Sequence, residues 1–329
     1  MRPLAFSLLR ELSHAHFTSG AMLASKYAVS RSAISDALGD AREAGIGILS
    51  LTRKGYRLAL PLEMLDIERI RAALGATAKR VDVLVLRTVD STNSALMERA
   101  SSGAPSGLCL VAESQTAGRG RRGRVWHSAF GESLMFSLLW RFDKGAAELG
   151  GLSLVVGLAV VRALRASGLT DAGRVGLKWP NDVIADNAKL AGVLIESQGE
   201  MAGPTAVVIG IGINIGQSAV MTARIDQPST AVAALTSMPP SRNLLLAAVL
   251  RELVTLLDIF RTRGFAALKG EWQAQHVLHG KPVRVLFADG SGVDATVKTV
   301  GDDGALIVTV NGRALHIVAG EVSLRQIAP

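Results

Sequence analysis

The sequence is poor in cysteine and lacks a long apolar run. Cys109 is the single cysteine among 329 residues, which excludes an internal disulfide and a zinc site built on thiolates, and favours a reducing, cytoplasmic location. The best candidate for a membrane span, residues 152–164, is interrupted by Arg162, so we expect no such span and no membrane partner. Glu11 interrupts the apolar start and no small-residue cleavage site follows, which predicts an amphipathic helix rather than a signal peptide.

Internal repeats and low-complexity tracts are also absent, and the length of the chain predicts two or three domains. Hydrophobic residues make up 49% of the sequence, which is enough to form well-packed cores. The balance of 36 basic and 28 acidic residues gives a net charge of +8. This charge indicates anionic partners but does not choose among them.

The first 62 residues have the pattern of a winged helix-turn-helix domain. Helices are predicted over residues 3–14 and 20–27 and after Ser30, and residues 47–60 predict two short strands. Three helices and a two-stranded wing are typical of DNA-binding modules. The first 60 residues hold eight basic and four acidic side chains, which favours DNA over the alternative, a helical bundle that only contacts proteins.

The predicted third helix and the tip of the wing present the candidate DNA contacts. They are Arg31, Ser32 and Ser35 on the helix and Arg53 and Lys54 on the wing. The two basic side chains of the wing are placed to contact phosphates. Asp36 on the same helix would repel phosphate, although a carboxylate can accept a hydrogen bond from a cytosine amino group.

Residues 63–275 predict a central domain of the α+β class, built on a mixed sheet with flanking helices. A helical linker at residues 62–75 leads into strands and helices that do not alternate regularly, which disfavours a Rossmann fold. Strands are predicted at 81–89, 107–115, 133–142 and 205–216, long helices at 149–167 and 243–264, and a strand–turn–strand unit at 175–197.

Residues 276–329 predict a small β-barrel of SH3-like size, because they contain four or five short strands joined by tight turns. The turns are expected at Asp289-Gly290, Asp303-Gly304 and Asn311-Gly312. Asp-Gly and Asn-Gly pairs between alternating apolar residues are strong hairpin signals.

A loop rich in glycine and arginine, GRGRRGR, begins at Gly118 and is followed by Trp126. Its arginines are Arg119, Arg121, Arg122 and Arg124. The loop lacks the Gly-Lys-Ser/Thr of a Walker loop and does not suit the tight glycine turn of a dinucleotide-binding fold. Two interpretations remain: a solvated surface loop, or a mobile loop whose guanidinium groups bind phosphate and whose glycines let it close over a ligand.

Polar residues near the ends of the predicted strands are the other candidates for a site. They are Ser91, Thr92, Asn93, Gln115, Lys178, Asn181, Asp182, Lys189, Gly192 and Asn214. Ser91 or Thr92 can instead simply cap the helix that follows. Pro180 forces an extended turn beside its polar neighbours, Gly192 allows a close approach of the backbone, and Asn214 can equally be a turn residue.

Lys189 lies in an otherwise apolar strand, where a lysine is usually a solvated or edge residue. A second lysine, Lys178, precedes it by eleven residues in the predicted strand–turn–strand unit. Two cationic groups close together weaken the interpretation of Lys189 as merely solvated.

Five segments resemble, in this order, the signature of biotin–protein ligases. They are DSTN at 90–93, ESQTAGRGRRGRVWHS at 113–128, KWPND at 178–182, KLAGVLIE at 189–196 and GIGIN at 210–214. With the winged-helix start and the small β-domain at the end, the resemblance covers essentially the whole chain. It points to the bifunctional form of the family, which is also the biotin operon repressor, and implies a catalytic domain like that of class II aminoacyl-tRNA synthetases.

The resemblance implies a biotin–[acetyl-CoA-carboxylase] ligase that uses ATP and Mg²⁺. Biotin would be joined to AMP as biotinyl-5'-AMP and then transferred to one lysine of a biotin carboxyl carrier protein, with cations screening the two anions of the first step. The resemblance also implies that biotinyl-5'-AMP promotes a homodimer, which then binds a two-fold operator DNA.

The resemblance implies roles for single residues. The residues that match the biotin contacts are Ser91, Thr92, Asn93, Gln115, Arg119, Gly120, Arg121, Lys189 and Gly192, the first four around the neutral ureido ring. The nucleotide contacts match Arg121, Arg124, Trp126, Lys178, Asn181 and Asn214. Lys189 and Arg121 are the expected catalytic residues, because positive charge there would stabilise the carboxylate and the acyl phosphate. Asp182 is expected either to bind Mg²⁺ or to accept a structural hydrogen bond.

Residues 216–235 depart from the family pattern, because they lack the tryptophan that stacks on adenine. We expect an aliphatic side chain to pack on the base instead. Three hypotheses stand: a ligase that also represses transcription, the same ligase with an N-terminal module that does not bind DNA, and a DNA-binding regulator that only senses a small molecule. The paired lysines and the arginine loop argue against the last, and the loop favours biotin over lipoate.

Overall fold

The N-terminal residues form three helices and a two-stranded antiparallel sheet. The computed structural model describes residues 1–169, 171–199, 203–216, 218, 225, 227–238, 241–287, 290–318 and 322–326. Its first elements are α1 (Pro3–Glu11), α2 (Gly20–Lys26), α3 (Arg31–Glu43), β1 (Ile48–Leu51) and β2 (Gly55–Leu58). Ser19 and Ser30 cap α2 and α3 by accepting hydrogen bonds from backbone amides. The predicted ends of α1 and α2 lie one to three residues too far along the chain.

A seven-stranded mixed sheet forms the centre of the molecule. Its strands are β3 (Asp82–Val89), β4 (Leu108–Gln115), β5 (Ser133–Phe142), β6 (Val175–Lys178), β7 (Asp182–Ala185), β8 (Ala188–Gly199) and β9 (Thr205–Asn214). They lie in the order β3-β4-β5-β9-β8-β7-β6. β3 and β4 run parallel and the other pairs are antiparallel, which confirms the predicted mixed sheet. β9 is buried along its whole length, because it is the middle strand.

The prediction of one strand–turn–strand unit over residues 175–197 was wrong, since this stretch forms the three strands β6, β7 and β8. The second turn lies at Asp186 and Asn187, which have φ of 49° and 62°. Aspartate and asparagine tolerate this left-handed conformation better than other non-glycine residues. The turn therefore splits an apolar run that looked continuous.

Helices cover both faces of the sheet. α4 (Ile67–Leu74), α6 (Leu152–Ala166) and α7 (Arg242–Arg263) belong to the main core on one face, and α5 (Thr92–Ser101) packs on the other; the short α8 (Lys269–Ala274) follows α7. Neighbouring residues of β4 point to opposite faces of the sheet, since Cys109 belongs to the main core and Leu110 to the core beneath α5. The predicted helical linker is part of this unit, since Ile70 is fully buried.

The segment Ala146–Ala166 has the length and composition of a membrane-spanning helix, with a mean hydropathy of 1.7. Arg162 lies within this segment but does not by itself take its mean hydropathy below the range of a candidate span. The structure shows 61% of the most apolar 18 residues of this segment buried inside the protein, and α6 packs against the sheet and α7. Its apolar character is accounted for by its place in the core.

A second, five-stranded antiparallel sheet follows at the C-terminal end. Its strands are β10 (Pro282–Phe287), β11 (Gly292–Val300), β12 (Leu306–Val310), β13 (Arg313–Ile317) and β14 (Val322–Gln326), in the order β13-β12-β11-β10-β14. The expected turns occur at Gly304 and Gly312, with φ of 78° and 80°, while Asp289 lies outside the described residues. The indole N–H of Trp179 donates to the Gly304 carbonyl at 3.0 Å and joins this sheet to the central one.

A buried ion pair joins the segment after the N-terminal unit to the central sheet. The side chains of Glu113 and Arg242 are each 2% exposed, and their charged atoms lie 2.8 Å apart. The Leu65 amide donates to Glu113, and Arg242 donates to the Ser133 carbonyl. Hydrogen bonds therefore reach both charges, as a buried pair requires, although Arg242 Nε has no partner among the described residues.

Candidate active site

A cavity that is open to solvent, with about 480 Å³ of empty space, lies on the face of the sheet that carries α5. We call it the first cavity. Every residue predicted to bind biotin lines it: Ser91, Thr92, Asn93, Gln115, Arg119, Gly120, Arg121, Lys189 and Gly192. These nine residues come from three of the five sequence segments. Asn181, Gly210 and Gly212, from the other two segments, also line the first cavity, so all five segments meet in one place.

Uncharged polar groups form one end of the first cavity. The backbone N–H and the hydroxyl of Thr92 lie 2.7 and 3.0 Å from Gln115 Oε1, which orients the amide of Gln115. The hydroxyl of Ser91 accepts from the Ser94 amide at 3.5 Å and caps α5. The capping interpretation of Ser91 is thus confirmed, and the same residue also lines the cavity.

Asn93 lines the same end, but its amide is engaged by protein groups. Its Oδ1 accepts from the Ser137 hydroxyl at 2.5 Å, and its Nδ2 donates to Glu196 Oε2 at 2.9 Å and to the Leu194 carbonyl at 3.5 Å. A Cβ atom at Gly210 would approach Asn93 Oδ1 to 2.1 Å, so this glycine makes room for the amide. Asn93 is therefore a rigid part of the cavity wall.

The glycine–arginine loop, residues 118–126, folds back on itself beside the cavity. The Gly120 amide donates to the Arg124 carbonyl at 2.7 Å, and the Trp126 amide donates to the Gly118 carbonyl at 2.9 Å. Arg122 at the tip has a φ of 58°. This closed turn directs Arg119 and Arg121 to the cavity and leaves Arg124 exposed.

Two arginines of the loop contact the sheet. Arg119 donates to Glu196 Oε1 at 2.6 Å and to Ser94 Oγ at 3.2 Å, and Arg121 donates to Asn181 Oδ1 at 3.1 Å. Burial of the Arg121 guanidinium lowers its pKa, and its neighbour Arg122 lowers that pKa further. A partly desolvated arginine is a strong electrostatic partner for an anionic ligand.

The indole of Trp126 packs against two glycines of the sheet. Gly192 on β8 and Gly212 on β9 are register partners, and a Cβ atom at either would come within 3.0 Å of the indole. The indole N–H is buried and has no hydrogen-bond partner among the described residues. It is therefore an unsatisfied donor buried beside the first cavity.

Lys189 lies beside both the indole of Trp126 and a carboxylate. Its Nζ is 2.7 Å from Asp182 Oδ1, and it lies 5.6 Å from the centroid of the Trp126 ring. The side chains of Lys189 and Asp182 are 19% and 20% exposed. The interpretation of Lys189 as a solvated edge residue is therefore wrong, because the loop covers its strand.

The donors around Asp182 fit only one type of metal site. Within the described residues, no group of three or more histidine, cysteine, aspartate or glutamate side chains is placed to hold a metal ion. Mg²⁺ is commonly held by one or two carboxylates together with substrate phosphates. The single carboxylate of Asp182 fits such an ion, and does not fit a site built from protein ligands alone.

A second cavity, open to solvent and with about 330 Å³ of empty space, shares Trp126 and Lys189 with the first. Its lining consists of Val125, Trp126, His127, Lys189, Asn214, Ile225, Gln227 and Ser229. Asn214 donates from Nδ2 to the carbonyls of Lys189 and Thr230 at 3.2 and 3.0 Å, which fixes the strand that carries Lys189. Ile225 is an aliphatic side chain of the kind expected to pack on a base.

The residues predicted to bind a nucleotide do not all lie together. Arg121, Trp126 and Asn181 line the first cavity, and Trp126 and Asn214 line the second. Arg124 and Lys178 line neither of these two cavities; Lys178 faces Asp182 across β6 and β7.

The sequence has relatives of known activity. Residues 85–214 match the biotin/lipoate A/B protein ligase family. The chain is 34% identical to the bifunctional ligase/repressor BirA of Escherichia coli strain K12 over 318 residues, or 97% of this chain and 96% of that protein. The chain belongs to the biotin protein ligase family. It is an enzyme that ligates biotin with ATP, as predicted.

Other members of the biotin protein ligase family extend the comparison. The chain is 34% identical to the biotin–[acetyl-CoA-carboxylase] ligase of Mycobacterium tuberculosis over 268 residues, which cover 81% of this chain and 97% of that protein. It is similar, with a TM-score of 0.64 and 30% identity, to the structure of the Aquifex aeolicus biotin protein ligase in complex with biotin and ATP. That likeness covers 75% of this chain and 99% of the other.

Some residues of this ligase's site were not predicted. They are Ser137, Glu196, Gly210 and Gly212. The glycines carried a usable signal, since alternate positions of a strand point to one face and both lie in GIGIN. The serine of the apolar strand β5 also stood out as polar. Glu196 carried no such signal, because its partners come from α5 and the loop.

The predicted DNA contacts all lie on the surface of the N-terminal unit. Arg31, Ser32, Ser35, Arg53 and Lys54 are exposed. Asp36 is exposed on the same helix. The side of α3 opposite these residues is buried through Ile34 and Leu38.

Proposed function

We propose that this chain is a biotin–[acetyl-CoA-carboxylase] ligase that binds biotin in the first cavity and the adenosine part of ATP in the second. The observation that carries this proposal is that Lys189 and Trp126 line both cavities. A molecule that fills both cavities must lie beside Lys189 where the two meet. The acyl phosphate of biotinyl-5'-AMP would occupy this position. Ile225 would pack on the adenine in place of the missing tryptophan.

The uncharged end of the first cavity suits the ureido ring of biotin. This ring is neutral and offers two N–H donors and one carbonyl, so hydroxyl and amide groups match it without the cost of burying a charge. Ser91, Thr92 and Gln115 would make these hydrogen bonds. Asn93 would shape the wall, because its own amide is already engaged.

Lys189 and Arg121 would lower the barrier of the first step. An oxygen of the biotin carboxylate attacks the α-phosphorus of ATP, and pyrophosphate leaves with the electrons of the broken P–O bond. Two anions approach each other in this step, so positive charge fixed at their meeting point stabilises the transition state. Asp182 would hold Mg²⁺, which supplies further positive charge against the phosphates when bound.

The second step transfers biotin to a biotin carboxyl carrier protein. The neutral amine of the acceptor lysine attacks the acyl carbon of biotinyl-5'-AMP, the amine loses a proton, and AMP leaves. The chain needs no covalent carrier for this step, and Cys109 is unsuited to be one because burial raises the pKa of its thiol far above the ordinary range. The glycine–arginine loop would exclude water from the anhydride until the acceptor arrives.

A transfer assay tests this proposal. The full chain is incubated with ATP, Mg²⁺, labelled biotin and a carrier fragment, and label on the carrier is measured. Lys189→Ala should reduce adenylate formation by about 100-fold or more, which is the usual effect of removing a group that stabilises transition-state charge. Lys269→Ala is the control, because that lysine pairs with Asp302 on the surface. Unchanged turnover of Lys189→Ala contradicts the assignment.

We also propose that the N-terminal unit is a winged helix-turn-helix domain through which the ligase represses biotin-synthesis genes. The similarity to the bifunctional ligase/repressor extends over 97% of the chain, so the aligned region must contain most of the N-terminal unit. α3 would enter the major groove, with β1 and β2 as the wing. A homodimer formed with biotinyl-5'-AMP would match a two-fold operator.

The chain divides, in this proposal, into three domains at residues 1–62, 63–275 and 276–329. The separate core of the N-terminal unit supports the first boundary. The size and antiparallel pairing of the last sheet support an SH3-like third domain. One cysteine, fully buried, suits a cytoplasmic location.

A further inference from the structure

Glu196 is a carboxylate at the edge of the first cavity that takes no part in the steps described above. It lies on β8, and its side chain is 22% exposed. Its two oxygens have different partners: Oε1 accepts from Arg119 at 2.6 Å, and Oε2 accepts from Asn93 at 2.9 Å. One side chain thus joins the loop that covers the cavity to the wall beneath it.

We propose that Glu196 is a positioning residue, a latch that holds the glycine–arginine loop closed over bound biotinyl-5'-AMP. The inference rests on the proposed assignment of the first cavity to biotin. Glu196 acts through Arg119 and Asn93 and not on the reacting atoms themselves.

Asn93 is the fixed end of this latch. Its Oδ1 accepts from the fully buried Ser137, and it lies against the backbone of Gly210, where no side chain would fit. A carboxylate bonded to such a rigid amide is itself held in place. Glu196 therefore presents Oε1 to the loop at a defined position.

Arg119 is the movable end. Its side chain is 48% exposed, and the residue pairs through its backbone with Val125 across the closed turn. Holding Arg119 therefore holds the whole turn, including Arg121 at the cavity. A pair this exposed contributes modestly to stability, but a small free-energy change is enough to shift a loop between open and closed states.

The latch should control the fate of biotinyl-5'-AMP more than its formation. When the loop opens before the acceptor arrives, water attacks the acyl carbon and releases biotin and AMP. Closing the loop prevents this side reaction. Weakening the latch should therefore raise hydrolysis relative to transfer.

The test measures the hydrolysis of enzyme-bound biotinyl-5'-AMP in a single turnover without acceptor, and then transfer after the carrier fragment is added. Glu196→Leu keeps about the same size of side chain but removes both acceptors, so neither of the two hydrogen bonds can form. We expect hydrolysis about five times faster than in the unchanged chain, which corresponds to about 1 kcal/mol.

Arg119→Gln and the double variant complete a cycle. Each single variant should raise the rate of hydrolysis by a similar factor. The double variant should raise it no more than either single variant does, because all three lose the same contact between Arg119 and Glu196. Asp258→Asn is the matched control, since it breaks a similar exposed pair, with Arg80, on the surface away from the cavities. It should leave hydrolysis unchanged.

Unchanged hydrolysis in both single variants overturns the latch, and so do effects that multiply in the double variant. Glu196→Asp, which keeps the charge but shortens the side chain, decides the matter if Glu196→Leu unfolds, and it too should raise hydrolysis. Biotin binding to Gln115→Leu separates this inference from the assignment of the cavity. Unaltered affinity there would overturn the biotin site itself, whereas reduced affinity together with unchanged hydrolysis in the latch variants would overturn only the latch.

Discussion

Gly192 and Gly212 show how single residues without functional groups shape the site. They face each other across β8 and β9, and the indole of Trp126 lies against both. Because Trp126 lines both cavities, its position sets the width of each. The two glycines therefore contribute to binding by leaving space.

Gly212→Ala should displace Trp126, because the added Cβ would lie 2.4 Å from the indole. We expect kcat/KM for biotin and for ATP to fall by about tenfold or more, since a small misplacement of positioning groups costs this much or more. Steady-state kinetics measure the effect. The control is Gly39→Ala in α3, where nothing lies within 4 Å of an added Cβ. Equal activity of Gly212→Ala and the unchanged chain would contradict the role of the indole.

The biotin-site residues that the sequence predicted were those inside recognisable segments, such as Thr92, Gln115 and Lys189. Ser137 lies outside these segments, and Glu196 was missed although it ends the segment KLAGVLIE. The importance of both comes from hydrogen bonds to residues more than 40 and 70 positions away in the chain, respectively. Periodicity and local motifs do not report such partners. Asn93 was predicted as a biotin contact because it lies in the DSTN segment. Its amide instead bonds to Ser137 and Glu196, so it forms part of the cavity wall.

The segment after α8 packs against the edge strand β6. Leu177 and His276 pair through their backbones, and the His276 ring lies 4.6 Å from the ring of Trp272. The ring of His276 is buried, and neither of its nitrogens has a hydrogen-bond partner among the described residues. Burial, and then the neighbouring His279, lower the pKa of His276 to about 3.

His276 should make the stability of the fold depend on pH. The unfolded chain takes up a proton on this histidine near pH 6.5, whereas the folded chain does not until the pH falls to about 3. The free energy of unfolding contributed by His276 is therefore complete at pH 7 and above and falls by about 2 kcal/mol between pH 7 and pH 5.

Urea unfolding at several pH values measures this dependence. In His276→Gln, the free energy of unfolding should fall by about 2 kcal/mol less between pH 7 and pH 5 than in the unchanged chain. His279→Gln, which changes an exposed neighbour, should keep most of it. An identical pH dependence in His276→Gln and the unchanged chain would be inconsistent with a neutral, buried histidine.

Most helices and strands followed from hydrophobic periodicity, and the errors came from turns. β9 and α7 were predicted because their apolar patterns are long. β7 was missed because the turn at Asp186 and Asn187 uses left-handed residues other than glycine. Arg162 was expected to interrupt an apolar run. It instead continues α6, where its partly exposed side chain pairs with Glu252 and Glu271.

Contacts between residues far apart in the sequence connect the parts of the molecule, and hydrophobic periodicity and short motifs do not predict them. Glu113 and Arg242 connect β4, α7 and the segment that leads from the N-terminal unit. The ring of Phe130, just after the glycine–arginine loop, lies 5.8 Å from the ring of Phe6 in α1. The N-terminal unit is thus in contact with the segment that follows the active-site loop.

The proposed repressor function requires that DNA binding depend on the ligase reaction. A gel shift on DNA from upstream of the biotin-synthesis genes should be strengthened by biotin and ATP together. Lys54→Ala should weaken it and reduce the slope of log affinity against log salt by about 1, the value for one phosphate contact. Glu68→Ala, on α4, is a control outside the N-terminal unit. No shift with any ligand favours a ligase whose N-terminal module does not bind DNA.

In the proposed reaction one lysine, Lys189, serves both cavities. A crystal structure of the full chain with biotinyl-5'-AMP tests it most directly. We predict the bicyclic ring in the first cavity, the adenine beside Ile225 in the second, and Lys189 Nζ within hydrogen-bond distance of the acyl phosphate. Biotinyl-5'-AMP bound elsewhere, or bound with Lys189 still paired only with Asp182, would contradict the account.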